Sequence, residues 1–184
     1  MQTPPVSPIL IFLVGARASG KTTVGRALAR RLGLPFVDTD AAVTSAAGKT
    51  VAAIVAAKGW PAFRQQESAA LRATVAKYPQ GAVIATGGGM VLAVENRRFM
   101  RERGVVFYLE ATAPLLVARL TCSPLASQRP SLTGKGVAAE MKQVLAHRAP
   151  LYLEAAHHRL DAALPLGRLN YSVGPTFCSN DVFT

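Results

Sequence analysis

The sequence predicts a three-layer α/β fold built on a five-stranded parallel sheet. Three observations carry this. Short, near-continuous apolar segments recur between helical stretches, the pattern of parallel strands covered on both faces. The first of them runs into Gly15-Ala16-Arg17-Ala18-Ser19-Gly20-Lys21-Thr22, which fits the phosphate-loop pattern G-x-x-x-x-G-K-[ST]. Beyond the loop, Val24, Leu28 and Leu32 repeat at helical spacing, so strand, glycine loop and helix follow in the order the motif requires.

In chain order, strands are expected at 9–14, 36–38, 83–86, 105–109 and 158–161. Thr50 is placed to cap a helix carrying Val51, Ile54 and Val55. Pro61 suits the first position of the next helix, which Phe63, Leu71 and Val75 continue. A short helix with Met141, Val144 and Leu145 is expected before Arg148. Between them, 121–136 has loop composition, and a polar loop of that length in a compact domain is usually functional, often a lid. From 160 to 184 the character changes. Pro165, Gly167, Gly174 and Pro175 interrupt any helical period, and much of 164–184 is expected to be irregular.

The chain has 184 residues, a length that suits one domain with a sizeable core. Half of the residues are hydrophobic and 17% are charged, which excludes a disordered chain. The N-terminal region has no positive n-region and only a short apolar run, so it is not read as a signal peptide. No stretch approaches the ~20 apolar residues of a membrane span, and no membrane partner is expected. Cys122 and Cys178 make neither a disulfide framework nor a metal-ligand spacing, so a reducing cytoplasm is the expected compartment. The net charge is +11. Such an excess fits nucleic-acid binding or anionic small molecules. The arginines are scattered and no basic run is interleaved with aromatics, so small anions are favoured and no nucleic-acid partner is expected.

The chemistry follows from residue types. Gly15 and Gly20 let backbone N–H groups close around phosphate oxygens, Lys21 can reach the β- and γ-phosphates, and the Thr22 hydroxyl can ligate Mg²⁺. The helix that begins there adds its positive N-terminal end. A phosphate-loop enzyme also needs a metal-organising carboxylate. The third strand runs straight into Gly87-Gly88-Gly89, whereas the second ends in Asp38-Thr39-Asp40. Strand alternation would put Asp38 and Asp40 on one face at the ligand-binding edge, one for Mg²⁺ and the other for an acceptor hydroxyl.

Arg64 and Glu67 share a helix face. The spacing fits an orienting pair, and equally a surface ion pair worth at most ~1 kcal/mol. Three consecutive glycines suit close backbone approach to a ligand, though one or two would serve a plain turn. Arg129, in the candidate lid, could stabilise charge on a transferring phosphate. His147, His157 and His158 show no catalytic or metal spacing and are read as structural.

Taken together, these residues resemble the shikimate kinase family. The family's phosphate loop spans Gly15 to Gly25, its D-T-D is Asp38 to Asp40, and its F-R-x-x-E is Phe63 to Glu67. Its glycine triplet is Gly87 to Gly89, its lid arginine is Arg129, and its R-x-P-L-Y is Arg148 to Tyr152. Order and spacing match from about 9 to 161. The D-T-D form and the lid segment are most similar to enterobacterial type II members.

The resemblance implies a nucleoside-monophosphate-kinase-like fold with a lid, and phosphorylation of shikimate by ATP with Mg²⁺ in a cytoplasmic monomer. It implies ATP contacts at Gly15, Ala18, Ser19, Gly20, Lys21, Thr22, Thr23, Arg119 and Arg129, with Arg119 stacked on adenine. Thr22 and Asp38 would organise Mg²⁺. Lys21, Asp40 and Arg129 would be catalytic, with Asp40 meeting the attacking hydroxyl as base. Arg64 and Arg148 would hold the substrate carboxylate, and Gly87, Gly88 and Gly89 would meet the ring hydroxyls through backbone amides.

Two features depart from the family. Ala18 stands where a further glycine is usual, which is tolerable if its φ is negative. The adenine loop and closing helix have no evident counterpart in 162–184. Another small-molecule kinase, such as a gluconate kinase, would share the loop without an evident need for Asp40, Arg64 and Arg148 together. A nucleotide-binding protein with little catalytic power is the alternative of a different class.

Overall fold

β1, Ile9–Val14, is the central strand of a five-stranded parallel sheet in the order β2 (Phe36–Asp38), β3 (Gly81–Ala85), β1, β4 (Val105–Glu110), β5 (His158–Asp161). The computed structural model describes residues 9–122 and 136–164. β1 pairs with β3 on one side and β4 on the other, so it meets no solvent at either edge. Its side chains alternate between two cores. Phe12 and Val14 face one with Ile84, Met100, Leu116 and Tyr152. Ile11 and Leu13 face the other with Val24, Leu28 and Leu160. Both faces are therefore covered, as parallel pairing demands.

The element order carries the site to one edge. α1, Lys21–Leu32, packs Val24 and Leu28 on the sheet and ends at Gly33 in the left-handed conformation. Gly25 is required where α1 crosses β2, because a Cβ there would meet the Phe36 ring at 2.5 Å. β2, Phe36–Asp38, passes directly into α2, Thr39–Ala47. α3, Val51–Lys77, starts at Thr50, whose side chain accepts from the Ala53 amide as the sequence implies.

α3 bends at Gly59 (φ 75°, ψ 170°), and Pro61 sits in the first turn beyond the bend. A small third core joins Val43, Val51, Ile54 and Phe63 between α2 and α3. β3, Gly81–Ala85, is buried throughout and begins two residues earlier than its apolar run suggests. α4, Val94–Arg103, follows the glycine triplet and one 3-10 turn, Met90–Leu92. β4, Val105–Glu110, and α5, Ala113–Thr121, come next.

α6, Val137–Ala155, is longer than expected and runs through Pro150. Arg148 therefore lies on this helix, not after it. β5, His158–Asp161, closes the order. The Val106 amide donates to His157 Nδ1 at 3.0 Å, and His158 packs against Phe107, structural roles for both rings. The expected lid arginine Arg129, with 123–135, and the tail beyond 164 lie outside the described residues.

Candidate active site

The phosphate loop leaves the end of β1 through Gly15, whose φ of 148° is open to glycine. Gly20 (φ 98°) then turns the chain into α1. Lys21 folds back over the loop, donating to Gly15 O at 2.9 Å and Ala16 O at 2.7 Å. The first turn of α1 carries no acidic residue of its own, and the positive end of the helix faces the loop, as an anion site requires.

Ala18 has φ 63°, so the condition of a negative angle is not met. An alanine in this region costs ~1 kcal/mol. The Ala18 and Ser19 carbonyls accept from Arg119 Nη1 at 3.5 and 3.4 Å, while Arg119 Nη2 donates to Ala162 O at 2.7 Å. Arg119 thus ties the loop to the chain after β5.

The two aspartates do not share a strand face, because β2 ends at Asp38 and Thr39 already begins α2. Asp38 is the N-cap. Its Oδ1 accepts from the Asp40 and Ala41 amides, and its Oδ2 from Thr22 Oγ1 at 2.9 Å. Capping leaves the second oxygen directed at the phosphate loop, so Asp38 still meets Thr22. Asp40 reaches the site from the first turn of the helix and is 9% exposed.

Around Gly87-Gly88-Gly89 the remaining residues converge. A Cβ at position 87 would collide with Glu67 Oε1 and Asp40 Oδ1, and one at position 89 with the Arg64 guanidinium. Glycine is needed at both ends for the charged groups to pack on the backbone. The Gly87 amide donates to Thr39 Oγ1 at 3.0 Å, so this amide of the triplet is already engaged within the protein. The Gly88 carbonyl accepts from Arg148 Nη1 at 3.1 Å and from the Tyr152 hydroxyl at 2.6 Å. Behind the triplet, the buried Asn96 donates to Met90 O and the largely buried Arg97 to Val91 O, which fixes the turn.

Arg64 pairs with Glu67. Glu67 is 1% exposed, so this is not the solvated surface pair that spacing alone allowed. Burial pushes the Glu67 carboxyl up to about 7, aided by Asp40 and opposed by Arg64 and Arg148. The Arg64 guanidinium also lies over Trp60 at 5.0 Å and Phe63 at 5.5 Å.

Three contributors were not singled out from sequence. Thr39 was read only as the middle of D-T-D. Trp60 lies four residues before Arg64, a spacing that puts both on one helix face. Tyr152 lies four after Arg148 and was visible as part of R-x-P-L-Y, without a role.

A lysine-threonine phosphate loop at a parallel-sheet edge, facing two arginines and a carboxylate around a glycine triplet, defines a phosphate-loop small-molecule kinase. The chain belongs to the shikimate kinase family: the family model "Shikimate kinase" matches residues 17–166. It is 56% identical over 154 residues to Shikimate kinase 2 of Syntrophotalea carbinolica, covering 84% of this chain and 88% of that protein. Shikimate kinase 2 of Dickeya chrysanthemi is 55% identical over 155 residues, with the same coverage of 84% and 88%. Among solved structures, shikimate kinase from Acinetobacter baumannii in complex with shikimate superposes with TM-score 0.78 at 34% identity. It covers 85% of this chain and 84% of that one.

Proposed function

We propose that this protein transfers the γ-phosphoryl group of ATP to shikimate, giving shikimate 3-phosphate on the route to chorismate. The observation that carries the reading is the convergence of Asp40, Arg64, Arg148 and the glycine triplet at the sheet edge that also holds Lys21. Family membership, and a relative solved with shikimate, support the same substrate.

ATP phosphates lie in the loop of Gly15, Ala18, Ser19, Gly20, Lys21, Thr22 and Thr23, where backbone amides and Lys21 neutralise their charge. Arg119 borders the loop on the side proposed for adenine. The shikimate carboxylate binds between Arg64 and Arg148, and Glu67 with Trp60 keeps the Arg64 fork aimed. The Gly88 and Gly89 amides meet ring hydroxyls. Asp40 holds the attacking hydroxyl and accepts its proton, and the charge of Arg129 is assigned to the transferring phosphate.

Thr22 Oγ1 and Asp38 Oδ2 are adjacent hard oxygen donors beside the loop, a set that fits Mg²⁺. When bound, the ion offsets charge on the β- and γ-phosphates. Most of the catalysis is positioning in a site of low water content. The protein is proposed to work as a one-domain cytoplasmic monomer on small molecules. The scattered distribution of its arginines supports small molecules over nucleic acid. Among the described residues, no helix is long and apolar enough to cross a membrane.

A coupled ADP-release assay tests the reading. Shikimate should give turnover, with gluconate and shikimate methyl ester poor. Equal rates with gluconate, or no turnover with shikimate, would refute it.

A further inference from the structure

We infer that the Tyr152 hydroxyl is a positioning group for the acceptor pocket: it holds the Gly88–Gly89 peptide when Arg148 turns from the Gly88 carbonyl to a substrate carboxylate. The inference rests on the proposed carboxylate clamp and adds a residue to it. Arg148 and Tyr152 lie at i and i+4 on α6, so they present donors on one face. Both reach the same atom, Gly88 O, at 3.1 and 2.6 Å. A carbonyl oxygen has two lone pairs and accepts both at once.

The two donors differ in freedom. Arg148 is half-buried and carries a flexible stem. Tyr152 is 0% exposed, and its ring stacks on Tyr108 of β4 at 5.1 Å. Burial also pushes its hydroxyl up to about 12, so it is a protonated donor across the working range.

The consequence is geometric. When a carboxylate recruits Arg148, the half-buried Gly88 carbonyl keeps Tyr152 and is not left without a protein partner. The Gly88 carbonyl and the Gly89 N–H belong to one planar trans peptide and point in opposite directions. Fixing the carbonyl therefore fixes the direction of the Gly89 N–H, one of the two amides proposed for the ring hydroxyls. Glycine at this position makes the restraint necessary, because the triplet has no side chains of its own to resist rotation.

The test is Tyr152→Phe, which keeps the ring stack and removes one donor. Shikimate KM should rise about five- to ten-fold, the size of one hydrogen bond's net contribution. The KM for ATP and the kcat at saturating shikimate should stay within about twofold, since neither the phosphate loop nor Asp40 is touched. In the ligand-free protein, the Gly88 carbonyl ¹³C resonance should move upfield.

An unmoved resonance overturns the inference whatever the acceptor proves to be. So does a parent-like shikimate KM, or a KM rise shared by both substrates and accompanied by a fall in Tm, which would make Tyr152 merely structural. Failure of the parent itself to turn over shikimate would instead overturn the substrate reading, and the carbonyl resonance would still decide the role of Tyr152.

Discussion

The phosphate side of the site is written in one continuous stretch, Gly15 to Thr22, while the acceptor side is assembled from α2, α3, the turn after β3, and α6. In the first, the bonds that shape the loop are local, such as Lys21 to Ala16 across five residues. In the second, Arg148 and Gly88 meet across 60 residues. The difference has a physical consequence. The loop needs mainly its own backbone angles, the strand and helix beside it, and the tie from Arg119. The acceptor pocket needs the sheet order, the bend of α3 and the full length of α6 to be right at once. Nucleotide binding and acceptor binding should therefore respond to separate sets of substitutions.

Lys21→Ala gives the largest effect and belongs to the phosphate side. Turnover should be abolished, while circular dichroism and shikimate binding stay as in the parent, because Lys21 bonds the loop and not the core. Full activity in that variant would remove the phosphate-loop assignment. Asp40→Asn is the counterpart on the acceptor side. Its amide cannot accept a proton, so kcat should fall ~10²–10⁴-fold with ATP affinity retained. A kcat within threefold of the parent would leave Asp40 as a binding residue.

The third prediction uses pH. Glu67 has a folded-state value of about 7 against an ordinary value of 4.5. The folded protein therefore holds more protons than the unfolded chain between these values. The contribution of Glu67 to stability is full below pH 4.5 and is lost as pH rises through 7. One group gives a slope of at most ~1.4 kcal/mol per pH unit. Glu67→Gln cannot titrate and should flatten that slope in denaturant melts across the range. An unchanged slope would place the proton elsewhere.

The smallest effect returns to the loop. Ala18→Gly relieves a left-handed alanine and should stabilise the protein by up to ~1 kcal/mol, read as a rise in Tm. A loss of stability would mean that the Ala18 methyl packs favourably enough to outweigh its backbone angle.

The same contrast decided what the sequence could tell. All five expected strands form, β1, β2 and β5 at the expected limits, β3 starting two residues earlier and β4 ending one residue later. Thr50 caps its helix as its position implied. What failed were readings that needed a boundary or a partner. Alternation carries two residues too far, from Asp38 to Asp40, because the Asp38 cap ends β2 and starts α2 in a single step. The short helix expected before Arg148 in fact continues through Pro150 and carries Arg148 with it. The sign of φ at Ala18, which decides the strain there, is set by loop closure, and composition does not report it. The burial of Glu67, which decides between a surface pair and an orienting one, comes from the sheet edge and the glycine backbone packed over it. No spacing within α3 carries that information. Thr39 and Tyr152 act on glycines 48 and 64 residues away, so their roles appear only once the chain is folded.

The independence of the two sides is tested most directly by calorimetry on Arg64→Ala, with shikimate and ATP titrated separately into the variant and the parent. Loss of one charge-assisted clamp should weaken shikimate binding ~10–100-fold and leave ATP affinity within about twofold. Unchanged shikimate affinity, or a matching loss for both ligands, would contradict the account.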